Sequence, residues 1–172
     1  MPDITPIFER LNRVRRELES VANVVPGELW RKPPRPGSWS AAEVIAHLTM
    51  VEGAITEGAA KLVSGAPRSV PLWKRFHLPI WLAGWRGVRV KTPLPLDPSL
   101  VADKEVMLAR LADQRRRTLA LLEQHGDREL SAYRWKHPLF GSLNFYDWFR
   151  IVAHHEARHT KQIREIVETF QK

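Results

Sequence analysis

An all-α four-helix bundle is the fold this sequence predicts, and three observations lead there. Four long segments place apolar residues at three- and four-residue steps. Proline, glycine and helix-capping residues bound each segment. No stretch shows a convincing alternation of apolar and polar residues, so no strand is expected. At 172 residues the chain suits one domain, spanning 1–172, with no boundary inside it.

The first helix is expected from Thr5 to Val25, with Ile7, Leu11, Val14, Leu18 and Val21 toward the core. The pair Pro26-Gly27 stops it. The second begins at Ser40, which forms a capping box with Glu43, and runs to about Ser64. Prolines 67, 71, 79, 93, 95 and 98 then forbid another long helix. Residues 65–98 therefore read as a long crossover between the second and third helices. Its apolar, aromatic piece from Leu72 to Trp85 is expected to hold one short helix that covers an end of the bundle. The third helix spans about Ser99 to Gln124 and stops at Gly126. A second loop, 127–143, leads to the fourth helix, which begins near Asn144 and continues to about Phe170. Asn144 serves as N-cap, and Asp147 favours the positive end of the helix.

Composition narrows the chemistry. Hydrophobic residues make up 44% of the chain and charged residues 27%, which excludes a disordered tail. No segment approaches the roughly 20 apolar residues of a spanning helix, and the N-terminus lacks the features of a signal peptide. A cytoplasmic location without a membrane partner is expected. The absence of Cys removes disulfides, zinc–thiolate sites and Cys nucleophiles. Any metal must be held by His, carboxylate, backbone or water. The charge of +8 includes the clusters Arg13, Arg15, Arg16 and Arg115, Arg116, Arg117. Lying within helical patterns and without a nucleic-acid motif, they read as solvated helix faces, so a nucleic-acid partner is not expected.

The histidines carry the strongest functional signal. His155 and His159 are four apart on the fourth helix, so they project from one face, a turn apart. Trp148, Val152, Ile163, Ile166 and Phe170 share that stripe, and two imidazoles inside it need partners. Taken alone, an H-x-x-x-H pair fits hydrogen-bonded core or surface histidines better than a metal site. His47 shifts the balance, because it lies between Ile45 and Leu48 on the second helix and can face the same interior. Two helices could then bring three imidazoles to one level, where each neutral ring offers a lone pair to a metal. His154 points about 100 degrees away and is not a candidate ligand. His77, His125 and His137 lie in or beside loops and read as structural or solvated, with His137 the one able to approach a pocket.

The run Trp39-Ser40-Ala41-Ala42-Glu43-Val44-Ile45-Ala46-His47-Leu48 resembles the second-helix signature of the DinB-like (YfiT-type) superfamily. His155-Glu156-Ala157-Arg158-His159-Thr160-Lys161-Gln162-Ile163 is similar to that family's last-helix signature, and His137-Pro138-Leu139-Phe140-Gly141 to the loop before it. The resemblance implies an up-down-down-up bundle, often a homodimer, that acts on a small-molecule substrate. It also implies a divalent metal such as zinc or nickel on His47, His155 and His159. Some relatives are thiol-dependent transferases that use low-molecular-weight thiols such as bacillithiol or mycothiol. Many others carry no assigned reaction and are labelled metal-dependent hydrolases.

Three protein ligands leave a fourth position open, the arrangement of catalytic sites. Metal-activated water could attack an ester or amide, or an external thiol could bind and act as nucleophile. Glu52 and Glu156 are the nearby carboxylates, but both read as surface residues in helix salt bridges rather than as a general base. Without a base the sequence leans toward thiol-dependent S-transfer. Metal-dependent hydrolysis and a non-catalytic, metal-stabilised stress-response module are the alternatives. Arg134, Lys136 and Arg158 are candidate rim residues for an anionic thiol or substrate, and Trp39, Trp135 and Trp148 candidate pocket walls. For all six, ordinary surface charge or core packing is the competing reading.

Overall fold

In a computed structural model the chain is a four-helix bundle; residues 2–67, 70–71, 75–85 and 97–171 are described. The helices are α1 (Thr5–Asn23), α2 (Ala41–Val63), α3 (Lys104–Gln124) and α4 (Phe145–Phe170). A hairpin, β1 (Arg134–His137) and β2 (Gly141–Asn144), precedes α4. Both predicted caps are present. Ser40 Oγ accepts the Glu43 N–H at 3.3 Å, while the Glu43 carboxylate accepts the Ser40 N–H at 2.7 Å. Asn144 Oδ1 accepts the Asp147 N–H at 2.9 Å.

Helix directions follow from who shares a core. One apolar cluster joins Ile7, Leu11 and Val14 of α1 to Phe145, Phe149 and Val152 of α4. The same cluster takes Ile55 and Val63 from the end of α2 and Leu121 and Leu122 from the end of α3. The second cluster collects the opposite halves: Leu18 and Ala22, Val44 and Leu48, Met107 and Leu111, Ile163 and Ile166. So α1 and α4 run one way and α2 and α3 the other, the up-down-down-up order. Parallel neighbours cannot be joined by a tight turn, because the chain must return along the bundle's length of about 1.5 Å per helical residue. The crossover between α2 and α3 answers that requirement.

Between the two apolar clusters lies a layer of four charges, one from each helix. Arg15 of α1 meets Glu52 of α2 at 2.7 Å and Glu156 of α4 at 3.0 Å. Arg115 of α3 meets the same two carboxylates at 2.7 and 2.5 Å. Each guanidinium also donates to a carbonyl on the opposite helix, Arg15 to Leu111 and Arg115 to Leu11. All four residues are buried. Sequence reading placed these arginines on solvated faces and these glutamates on the surface; both readings are corrected. A charge cluster on one helix looks solvated until the complementary charges of three other helices are brought to its level.

Three boundaries also move. α1 ends at Asn23, where Lys104 Nζ donates to the carbonyls of Asn23 (2.7 Å) and Val25 (2.9 Å). α3 starts at Lys104 rather than Ser99, because Pro98–Leu100 forms a separate 3-10 turn. The loop expected over 127–143 contains the hairpin, in which Trp135 pairs with Leu143 and His137 with Gly141. Strands of four residues are too short to show alternation. Gly141 has φ +88, and a Cβ there would lie 2.8 Å from the Phe76 carbonyl, so glycine lets residues 76–78 dock on the hairpin. Leu78 N–H completes that contact by donating to Phe140 O at 3.0 Å. The short helix expected within Leu72–Trp85 is the 3-10 helix Ile80–Gly84, and it lies along the flank of α4 rather than over an end of the bundle. Residues 72–74 of that stretch lie outside the described residues, as do 68–69 and 86–96 of the crossover.

Arg115→Leu leaves two buried carboxylates with one guanidinium. Urea unfolding should show a loss of about 3–5 kcal/mol, and a loss below 1 kcal/mol would mean the charges are hydrated rather than buried.

Candidate metal centre

The histidine site sits where the first half of α2 faces the middle of α4. His47 is buried among the inward residues Val44, Ile45 and Leu48 of α2. His155 is partly buried and His159 buried on α4. Their Nε2 atoms converge. His155 Nε2 lies 3.3 Å from His47 Nε2 and 3.1 Å from His159 Nε2, and the three ligand atoms all fall within 4.8 Å of one another. Around a tetrahedral ion with metal–nitrogen distances near 2.0–2.1 Å, neighbouring nitrogens are about 3.3 Å apart. Two edges of such a shell, both meeting at His155 Nε2, are therefore already in place.

Proton accounting points the same way. Gln162 Oε1 lies 2.8 Å from His159 Nδ1, which places the proton on Nδ1 and leaves the Nε2 lone pair facing the cluster. One proton on the His47–His155 pair can satisfy only one of the two Nε2 contacts. His47 Nδ1 is itself buried without a hydrogen-bond partner. A cation is the group that satisfies all three Nε2 lone pairs together, so the donor set fits a divalent metal.

Burial sets the charge state. It pushes the His47 pKa down to about 4. His155 is driven well below its ordinary value by burial, then by His159, His47, Arg158 and His137. Neutral rings are the form that binds metal. Trp39 closes one side, with its ring 5.0 Å from that of His47 and stacked at 6.3 Å on His159.

The remaining candidates are distributed around this centre. His137 packs its ring 5.0 Å from Trp148, and Trp148 stacks on Trp135 at 4.6 Å. His137 Nδ1 accepts the N–H groups of Leu139 (3.0 Å) and Phe140 (3.2 Å), so the neutral ring carries its proton on Nε2. Burial lowers its pKa to about 4. Of the four histidines outside the triad, it is the one whose charge bears on His155. His154 turns away to Arg10 of α1 at 3.2 Å, and His125 meets Arg128 at the end of α3. His77 lies 3.8 Å from Asp147 beside the hairpin. Arg134 is held by Ser142 and by the Arg75 carbonyl, Arg158 donates to the Trp85 carbonyl, and Lys136 is exposed. Glu52 and Glu156 are consumed by the charge layer. Sequence reading missed Gln162, although its place three residues after His159 on the same helix puts it within reach. Two surface concavities lie elsewhere, between α2 and α3 and between α1 and α4, and neither is lined by the three histidines.

The comparisons with known proteins agree with the four-helix fold. Residues 10–163 match the model of the DinB superfamily. The chain belongs to that family. A Bacillus subtilis (strain 168) relative, the uncharacterized protein YuaE, is 26% identical over 166 residues, covering 94% of this chain and 97% of its own. Among solved structures, the four-helix bundle protein TT2238 superposes with a TM-score of 0.62 at 23% identity, covering 95% of this chain and 99% of its own. YfiT from Bacillus subtilis, described as a probable metal-dependent hydrolase of unusual four-helix bundle topology, also reaches 0.62. It is 18% identical, covering 96% of this chain and 86% of its own. At these identities both structures establish the fold.

The depressed histidines set the acid behaviour of the metal-free protein. Unfolded, each binds a proton near pH 6.5; folded, His47 and His137 refuse it until about pH 4. The unfolded state therefore binds more protons in that window, and stability must fall as pH falls. Glu52 extends the loss below its ordinary range. Burial alone would raise its pKa, but Arg115 and then Arg15 outweigh burial and hold it low. Thermal melts of chelator-treated protein should give a Tm that declines from pH 7 to pH 4. A flat Tm over that range would contradict the buried neutral rings.

Proposed function

We propose that this DinB-superfamily chain is a metal-dependent hydrolase whose divalent ion is held by His47, His155 and His159. The observation that carries the reading is the convergence of three imidazoles, with His155 Nε2 3.3 Å from that of His47 and 3.1 Å from that of His159. Three neutral ligands leave a coordination position for substrate or water. When bound, the ion supplies Lewis acidity and a lowered water pKa.

The chain's own residues do the rest. Gln162 orients His159 and fixes its tautomer. Trp39 and the neighbouring apolar side chains exclude water from the rings. Neither Glu52 nor Glu156 is placed to serve the site, since each carboxylate is bound by both Arg15 and Arg115. His137 holds a proton on Nε2 and is suited to donate a hydrogen bond to a developing oxyanion rather than to act as base. YfiT, described as a probable metal-dependent hydrolase, supports hydrolysis over the thiol-dependent transfer favoured by sequence alone. Both reactions would use the same three histidines.

Mass spectrometry of untagged protein should find about one divalent metal per chain, lost in His155→Ala/His159→Ala. Loaded protein should cleave p-nitrophenyl esters without added thiol. His137→Ala should keep the metal and lose roughly 10²-fold in turnover, the scale of one oxyanion donor. Ester cleavage that the double mutant retains would remove the metal from the reaction, and turnover only with an added thiol and electrophile would restore the transferase reading.

Gln162→Leu should weaken metal affinity about 10–100-fold while leaving far-ultraviolet circular dichroism unchanged. Competition against a chelating dye reads this directly, and unchanged affinity would show that His159 needs no second partner.

A further inference from the structure

Large apolar side chains left in water are not scattered over this molecule. Of the seven among the described residues, five fall in one region: Phe76, Leu78, Trp81, Trp85 and Leu139, each between 44% and 77% exposed. Residues 76–78 pair with the hairpin turn through His77–Gly141 and Leu78–Phe140, which sets Leu139 beside Leu78. The chain then enters the 3-10 helix Ile80–Gly84, which carries Trp81 and ends at Trp85. This aromatic edge leads directly into a basic groove. A Cβ on Gly84 would sit 3.4 Å from His154 Nδ1, and that nitrogen accepts from Arg10. The groove, about 370 Å³ between α1 and α4, is lined by Arg10, Arg13, Arg150 and His154, with Glu9 its acidic member. Arg10 Nε is buried there without a hydrogen-bond partner.

We propose that this face docks on an anionic phospholipid surface, with Phe76, Trp81 and Trp85 entering the interface and the Arg10–Arg13–His154 groove receiving a lipid phosphate. Aromatic side chains beside cations are what a headgroup layer selects, because rings sit at the acyl boundary while phosphates meet the cations. Charge decides against a second copy of the chain. The chain carries a net charge of +8, and the groove beside the aromatic edge presents Arg10, Arg13 and Arg150 against Glu9, so two such faces would repel. The aliphatic Leu78 and Leu139 argue against nucleic acid, which offers stacking for rings but no apolar phase for leucine. No described helix is long and apolar enough to cross a membrane, so the contact is peripheral.

The test is co-sedimentation of the full chain with phosphatidylglycerol–phosphatidylcholine vesicles against phosphatidylcholine alone, with tryptophan emission as a second readout. Binding to the anionic vesicles, weakened by salt and accompanied by a blue shift, is expected. Trp81→Ser/Trp85→Ser should lower it at least ten-fold, and Arg10→Gln/Arg13→Gln by roughly five-fold per cation, with thermal stability retained by both. No binding at low salt, or equal binding by the variants, overturns the proposal. So does a loss of self-association in Trp81→Ser/Trp85→Ser without vesicle binding, which assigns the face to a second copy. Binding of inorganic phosphate or oligonucleotide without vesicle binding overturns it as well, and assigns the groove to a free anion or a nucleic acid.

Discussion

The buried layer of Arg15, Glu52, Arg115 and Glu156 is the constraint on which the rest of this bundle depends. Each helix contributes one charge, and the layer separates two apolar clusters that would otherwise be free to slide or rotate against each other. Removing four charges from water costs several kcal/mol per ion, offset only if every partner is in place. A bundle of leucine-rich stripes accepts many registers. A bundle with this layer accepts the one in which both carboxylates reach both guanidiniums.

That register is also what creates the histidine centre. Glu52 lies five residues after His47 on α2, and Glu156 follows His155 on α4. Fixing the two glutamates fixes the rotation and height of the helices that carry the three imidazoles. The same commitment strips the site of carboxylates. Three neutral nitrogens leave the charge of a bound divalent cation undiminished, which strengthens its pull on an oxygen ligand or an anionic substrate. The division of labour is consistent: the two acids hold the scaffold, and the three imidazoles face one another.

Much of this was legible before any coordinates. Helical period and caps located four helices to within a few residues, since Ser40 with Glu43 and Asn144 with Asp147 are local devices. The spacing of His155 and His159 placed them on one face for the same reason. Illegible were the hairpin, too short to alternate, and the partners of Arg15 and Arg115, which lie 37 to 141 residues away along the chain. The phrase Arg-Arg-Arg at 115–117 illustrates the difficulty. Arg116 and Arg117 pair with Asp113 at the surface, while Arg115 is buried, and nothing local distinguishes them.

By itself the sequence determined what is set by composition and by neighbours within about a turn: helix extents, caps, the absence of cysteine chemistry, and which histidines share a helix face. The tertiary structure decided what depends on distant segments meeting. It decided that His47 meets His155 and His159, that Glu52 and Glu156 belong to the buried charge layer, and that the 3-10 helix Ile80–Gly84 lies along α4 with Trp81 exposed. Hydrogen bonds within a helix turn are encoded by residues a few positions apart. Desolvation and charge pairing are properties of the assembled interior, and they acquire a value only once four helices have come together.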